Sequence, residues 1–390
     1  MDPVRNPFAP GAGSQPPELA GRGEIITAAD IALQRILRGR PAQSQMLLGL
    51  RGVGKTVLLN RIEQIAEGHG YLTSFIEAPE NRKLVDLLYP KIHQVLRKLS
   101  LIEAAKTATH TAMRALRSFA SAFKISVGDF EVSVDPEQGV ADSGNLEYDI
   151  TELFLRVGEA AKAAGRGWVL LIDEVQYLSI EELGALIVAI HRINQKALPV
   201  LLFGAGLPAI AALTGDAKSY AERLFIFPGI GALPDEDAAN AIRQPIEEEG
   251  ESIDEGLLGK IVVLTRGYPY FLQEWGYQVW NSSPQSPIAV DCLEVAEKEA
   301  LKRLDEGFFK VRIDGLTPKE KEYVIAMARI GAGPYRSSDV ADLLGEKLTA
   351  VGPRRAQIIN KGVIYSPAHG DIAFTVPMFD EYLKRHWMVD

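Results

Sequence analysis

The sequence predicts an α/β protein. It has a three-layer α/β/α core on a parallel sheet, then a helical segment, then a small C-terminal winged helix-turn-helix. Three observations predict it. Apolar strands alternate with amphipathic helices as far as residue 233. A glycine-rich turn, GLRGVGKT at Gly49 to Thr56, joins the first strand to the helix after it. Beyond Pro234 the pattern is helical, and the chain closes on three short helices and two strands.

The bulk numbers set the frame. A chain of 390 residues predicts two or three domains. Hydrophobic residues make up 47% and charged residues 24%, the mix of a soluble globular chain. The 42 Lys and Arg against 51 Asp and Glu leave a net charge of −9, which argues against indiscriminate coating of DNA or an anionic membrane. Cys292 is the single cysteine, so no disulfide forms within the chain and a reducing, cytoplasmic setting is expected. The six histidines are scattered and none has metal-ligand spacing to Cys292, so no zinc site is expected. No run of 18 or more apolar residues marks a membrane span. Residues 1–18, rich in Pro, Gly and Ala, lack the apolar core of a secretion signal and read as a disordered tail.

The elements follow in order. Residues 24–38 carry apolar residues at helical spacing, and a strand covers Gln45 to Leu48. After the glycine-rich turn come the helix TVLLNRIEQIAEG and a strand from Tyr71 to Ile76. Residues 82–120 look helical. KISVGDFEVSV at 124–134 alternates around Gly128-Asp129, which predicts a β-hairpin. It reads as an edge hairpin covering the sheet; the alternative is a partner-binding or DNA-probing element. A helix at about 147–164 leads into WVLLIDE, an apolar strand buried on both faces. EELGALIVAIHRINQ and PVLLFGAG repeat the helix–strand pattern, and Leu224 to Phe227 supplies a last strand. The expected organisation is a core over 19–233, a helical lid and linker over 234–313 and a winged helix over 314–390.

GLRGVGKT fits G-x-x-x-x-G-K-[ST] at every fixed position. Gly49, Gly52 and Gly54 let the backbone turn tightly, so its N–H groups face phosphates at a helix N-terminus. The candidate nucleotide-binding run continues through Leu50, Arg51, Val53, Lys55, Thr56 and Val57. Lys55 is expected to reach the β- and γ-phosphates and the Thr56 hydroxyl to ligate Mg²⁺. The alternative is a glycine-rich strand-to-helix turn with a chance Lys-Thr.

WVLLIDE places Asp173 and Glu174 at the end of an apolar strand, where a parallel sheet opens its ligand crevice. Asp173 is expected to hold Mg²⁺ and Glu174 to polarise the attacking water. Alone, the pair reads equally as a helix-capping acid pair after a core strand.

With both motifs in place, the chain resembles AAA+ P-loop ATPases of the replication-initiator type. It is also similar to the signal-transduction ATPases that carry a nucleotide domain followed by a winged helix. LAGRGEI at Leu19 to Ile25 resembles the segment that lies against adenine in that family, with Arg22 the matching residue. DEVQYL follows the second motif, and TRGYPYFLQ at Thr265 to Gln273 resembles the start of the lid helix. The resemblance implies ATP and ADP as ligands, Mg²⁺ as cofactor, and a homo-oligomer or protein partner. It also implies an arginine supplied in trans from before the last strand, and Arg223 stands there. Its plain alternative is a surface or salt-bridge arginine. Two departures matter. The sensor position after the fourth strand is Phe203-Gly204-Ala205-Gly206, with no polar side chain, which predicts slow hydrolysis. The lid stretch is Gly267-Tyr268-Pro269, with Arg266 only nearby.

In the C-terminal unit, Thr317 is expected to cap a first helix, Ser337 or Ser338 a second ending at Gly345, and the third to run from Ala350 to Asn360. Arg354, Arg355, Gln357 and Lys361 are its candidate contacts to duplex DNA. Residues 316–390 hold 10 Lys and Arg against 9 Asp and Glu, net +1, a weak basic footprint. The alternative is that this unit packs on the core or on a partner protein. Two functions follow. In one, nucleotide state controls assembly on DNA through the winged helix. In the other, the chain is a nucleotide-gated signalling switch whose winged helix binds protein.

Overall fold

Runs of β-branched and leucine residues between helices dictate strands buried on both faces, and helices must then cover both sides of the sheet. The structure, a computed structural model, describes residues 1–11, 19–79, 82–125, 135–136 and 139–388. The chain forms two compact units. A sheet unit comprises Arg22–Gly49 and Lys55–Ile230; a helical unit comprises Met1–Gly21, Leu50–Gly54 and Gly231–Asp390.

The sheet unit runs α1 (Gly23–Leu37), β1 (Ser44–Gly49), α2 (Lys55–Gly68), β2 (Leu72–Glu77), α3 (Leu84–Ser100), α4 (Lys106–Ala122), α5 (Leu146–Ala163) and β3 (Trp168–Asp173). It continues through α6 (Ile180–Gln195), β4 (Val200–Gly206), α7 (Ile210–Ala217), α8 (Ala221–Leu224), β5 (Phe225–Ile226) and β6 (Gly229–Ile230). All pairings are parallel, in the order β2-β3-β4-β1-β5, with β6 also on β1. Every residue of β3 and β4 is buried. Trp168 sits edge-on to Phe154 with centroids 4.8 Å apart, and its Nε1 donates to Ser74 Oγ at 3.1 Å. Because β1 lies beside β4 while β2 is at the edge, strand order reverses after β1, and the C-terminal strand ends there form the crevice such sheets use for ligands.

The last strand differs from expectation. The strand expected at Leu224 to Phe227 is present but shorter, as β5, and an unforeseen β6 follows beyond Pro228, which has no N–H to give a ladder. Pro228 contributes its carbonyl instead, accepting from Leu48 N–H at 2.9 Å. The hairpin expected over 124–134 lies outside the described residues apart from Lys124 and Ile125.

The helical unit holds α9 (Asp235–Glu248), α10 (Glu255–Thr265), α11 (Pro269–Ser282), α12 (Leu293–Arg303), a π-helical turn (Leu304–Phe309) and α13 (Lys310–Asp314). Then come α14 (Pro318–Ile330), β7 (Tyr335–Arg336), α15 (Ser337–Leu344), α16 (Leu348–Asn360), β8 (Ile364–Tyr365), β9 (Asp371–Phe374) and α17 (Phe379–Trp387). The strands form an antiparallel sheet in the order β7-β9-β8. The reading of three helices and two strands thus lacks β7 and α17. Thr317 caps α14 in a reciprocal box with Glu320. At α15, Arg336 holds the cap position, and Ser337 is the first helical residue rather than the cap. Residues 314–390 are joined to the rest of this unit by an aromatic cluster in which Phe309 meets Phe379 and Tyr382, with centroids 5.9 and 5.1 Å apart.

The tail expected to be disordered over 1–18 departs most from expectation, because residues 1–11 dock on α11. Phe8 is buried, Asn6 Nδ2 donates to Tyr277 O at 3.0 Å and Asn281 Oδ1 at 2.9 Å, and Trp280 Nε1 donates to Asp2 O at 2.9 Å. Composition signalled disorder, yet one aromatic anchor and three hydrogen bonds offset the ordering cost. Phe8→Ala is expected to weaken this docking by about 2–4 kcal/mol. Limited proteolysis within residues 1–11 checks it, and wild-type resistance in the variant would refute the anchor.

Candidate functional site

In the sheet unit, β1 ends at Gly49, α2 begins at Lys55 and β3 ends at Asp173, so the strand ends gather the chemistry. Lys55 is 6% exposed and its Nζ donates to Gly49 O at 3.0 Å. Thr56 Oγ1 donates to Asp173 Oδ2 at 2.5 Å across 117 residues of sequence. Burial pushes the Asp173 carboxyl above the usual carboxylate range, against the hydrogen bonds from Thr56 and from Glu174 N–H. Two hard oxygen donors in contact are the set that Mg²⁺ takes from protein, with phosphate oxygens and water completing its octahedron. Among the described residues no cluster of three His, Cys, Asp or Glu offers a closed protein cage. The donors present therefore fit Mg²⁺ bound together with phosphate.

Glu174 adopts φ 55° and ψ 40°, the left-handed conformation a non-glycine residue enters at a cost of roughly 1–3 kcal/mol. A three-residue turn, Val175–Tyr177, follows, and Ser179 then caps α6 in a reciprocal box with Glu182. Within that turn the Gln176 amide donates to Glu174 Oε2. Gln176 Oε1 accepts from Leu207 N–H at 3.1 Å, just past β4. Sequence reasoning quoted Gln176 inside DEVQYL without giving it a role.

The tip of the glycine-rich loop belongs to the helical unit. Gly52 and Gly54 have φ of +83° and +91°, which only glycine adopts freely. Gly52 O accepts from Tyr270 N–H at 3.2 Å, and Arg51 O accepts from the Tyr268 hydroxyl. Arg51 N–H donates to Thr375 O at 3.2 Å, so this loop amide is directed at a carbonyl rather than at a phosphate. Leu50, Val53, Tyr268, Phe271, Pro377 and Met378 line a cavity of about 240 Å³. Neither the Tyr268–Tyr270 contacts nor Thr375 and Pro377 were singled out from sequence, because each lies more than two hundred residues from the loop.

The remaining candidates scatter. Arg22 is buried just before α1, and Val57 is half-buried in α2. Arg223 is exposed near the end of α8, its carbonyl accepting from Gln43 Nε2 at 3.0 Å. Arg266 pairs with Glu381. The expected DNA-facing cations are engaged within their own unit. Arg354 grips both Glu346 oxygens at 3.1 and 3.0 Å, Arg355 donates to Ser337 Oγ at 2.9 Å, and Lys361 donates to Glu320 at 2.7 Å and Gly315 O at 3.0 Å. The exposed residues along α16 include Thr349, Pro353, Ala356, Gln357 and Asn360, none of them charged.

Comparison with known proteins agrees with this geometry. Residues 18–203 match the AAA ATPase domain, and residues 306–383 match a domain of unknown function (DUF8462). No curated protein matches the chain. The chain is similar to the Walker-type ATPase PABY2304 of Pyrococcus abyssi, at 16% identity over 94% of this chain and 96% of that one, TM-score 0.57. It is more loosely similar to the RuvB Holliday junction branch migration motor of Thermotoga maritima, at 16% identity, 96% and 98% coverage and TM-score 0.47. A further likeness is the Orc1 protein of Aeropyrum pernix in complex with DNA, at 14% identity, 98% and 96% coverage and TM-score 0.47. The two looser likenesses carry no argument, and the first speaks for the fold alone. Residues 18–203, which match the AAA ATPase domain, take in β1, β2, β3 and the start of β4 of the parallel sheet. Among the described residues no helix is long and apolar enough to cross a membrane.

Proposed function

We propose that the chain binds ATP with Mg²⁺ and hydrolyses it slowly, and that a C-terminal winged helix over 314–390 conveys the nucleotide state to a partner protein. The observation that carries the ATPase reading is the contact of Thr56 Oγ1 with Asp173 Oδ2, beside buried Lys55 and strained Glu174. In this reading Lys55 neutralises the β- and γ-phosphate oxygens, while Thr56 and Asp173 hold the metal. Bound Mg²⁺ supplies positive charge to the phosphate oxygens. Glu174 orients a water and takes its proton as the water oxygen attacks the γ-phosphorus and the bond to the ADP oxygen breaks. Arg22, buried just before α1, is our candidate to lie against the base. Arg223, exposed on a short helix, is our candidate for an arginine offered to a second copy.

A protein partner is favoured over DNA by the internal pairing of Arg354, Arg355 and Lys361 and by the uncharged exposed run of α16. A helix entering a major groove draws much of its affinity from cations free to meet phosphate. The competing reading, assembly on DNA, requires retention on duplex DNA at low salt that strengthens with ATP. Arg354→Ala is expected to lower stability by about 1–2 kcal/mol through loss of a bidentate, mostly buried pair with Glu346, and to leave DNA retention unchanged. Thermal unfolding and a low-salt gel shift check it. A selective loss of DNA retention would restore the DNA reading. ATP turnover with and without duplex DNA, tracked against oligomer size, tests the whole proposal; a chain that neither binds nor cleaves ATP would end it.

A further inference from the structure

The end of β4 lacks the polar side chain that a water-orienting sensor needs, because its last residues are Phe203, Gly204, Ala205 and Gly206. The space those glycines leave is nonetheless filled. A Cβ built on Gly206 would fall 2.4 Å from Gln176 Oε1 and 2.1 Å from Ile210 Cδ1, and one on Gly204 would fall 2.2 Å from Met46 Sδ. Glycine at 206 thus leaves room beside β4 for both the Ile210 side chain and the Gln176 carboxamide. There its two ends are both used: the carbonyl oxygen is pinned by Leu207 N–H at 3.1 Å, and the amide donates to Glu174 Oε2.

This arrangement has a chemical consequence. A carboxamide offers an acceptor at one end and donors at the other, so pinning the oxygen fixes which way the N–H groups point. The amide therefore always meets the Glu174 carboxylate as a donor. The Glu174 backbone is already held in the left-handed region, and the side chain gains a second restraint from this bond. Glutamate could not replace Gln176, since it would accept at both ends and set two carboxylates against each other.

We propose that Gln176 is the positioning residue for Glu174, tying its carboxylate to the end of β4 and doing from the turn after β3 what a sensor side chain on β4 would do. The inference rests on the ATPase reading above and deepens it. Gln176 acts through Glu174.

The test uses the full chain with Mg²⁺ and ATP. Gln176→Leu and Gln176→Glu are expected to lower kcat about tenfold to a hundredfold, the loss of one hydrogen bond to a charged group. KM for ATP, the Kd of a fluorescent ADP analogue and Tm are expected to stay within about twofold or a few degrees. Gly206→Ala should give the same kcat loss by displacing Gln176, and adding it to Gln176→Leu should cost little more. A reading independent of turnover comes from ¹⁵N-glutamine labelling. The Gln176 side-chain amide signal, identified by its loss in Gln176→Leu, should shift in Glu174→Ala. A kcat within twofold of wild type, a kcat that rises, or an unmoved amide signal overturns the inference. Active wild type with unaffected Gln176 variants sinks this inference alone; inactive wild type removes the ATPase reading and the inference with it.

Discussion

Lys55→Ala is expected to lose nucleotide affinity by at least a hundredfold. Lys55 is 6% exposed, and its ammonium donates to Gly49 O, the first carbonyl of the loop, so it is preorganised toward incoming phosphate. Removing one partner of a buried charge pair costs roughly 3–5 kcal/mol, because the phosphate charge is then left uncompensated. The apo fold should survive, since Lys55 begins α2 and the core below it is held by Leu58, Leu59 and Ile62. Titration with a fluorescent ATP analogue, alongside the thermal melt, reads both. Affinity within threefold of wild type at unchanged Tm would remove Lys55 from the phosphate site.

Glu174→Gln should separate binding from turnover. The amide keeps the size of the carboxylate but cannot accept a proton from water, and loss of a general base costs about 10²- to 10⁴-fold in kcat. Nucleotide affinity should persist, because Lys55, Thr56 and Asp173 keep their contacts. The left-handed backbone at 174 suits Gln no worse than Glu, so stability should change little. Turnover at the wild-type rate would show that another group activates water.

The candidate site is legible in the sequence to different depths. Lys55, Thr56, Asp173 and Glu174 are legible because their geometry is local: a strand, a glycine turn and a helix set the first pair, and an apolar strand ending in two acids sets the second. The parallel sheet is legible for a related reason, since continuous apolar runs such as Trp168 to Ile172 tolerate no solvent face. The break at Pro228 was visible in principle, because proline lacks an N–H. Gln176 was in view within DEVQYL, but its role needs Leu207, which is 31 residues away.

Two expectations turn on the same kind of information. The pattern Arg354, Arg355, Gln357 on a third helix resembles a DNA-reading face, and the disordered look of residues 1–18 follows from composition. Each depends on whether a partner exists elsewhere in the chain. Glu346 and Ser337 supply partners for the arginines, and Tyr277, Trp280 and Asn281 supply them for the tail.

The glycine-rich turn from Gly49 to Thr56, the acid pair at the end of β3 and the alternation that builds the sheet follow from residue order alone. Those properties reside in backbone geometry and burial within one or two turns of chain. Packing between distant segments sets the rest: Gln176 spans from Glu174 to the end of β4, Gly206 leaves room for it and for Ile210, Phe8 anchors the N-terminal segment, and Arg354, Arg355 and Lys361 pair within their own unit. A side chain's partner is chosen by packing between segments far apart in sequence, and single-residue propensities carry no record of that distance.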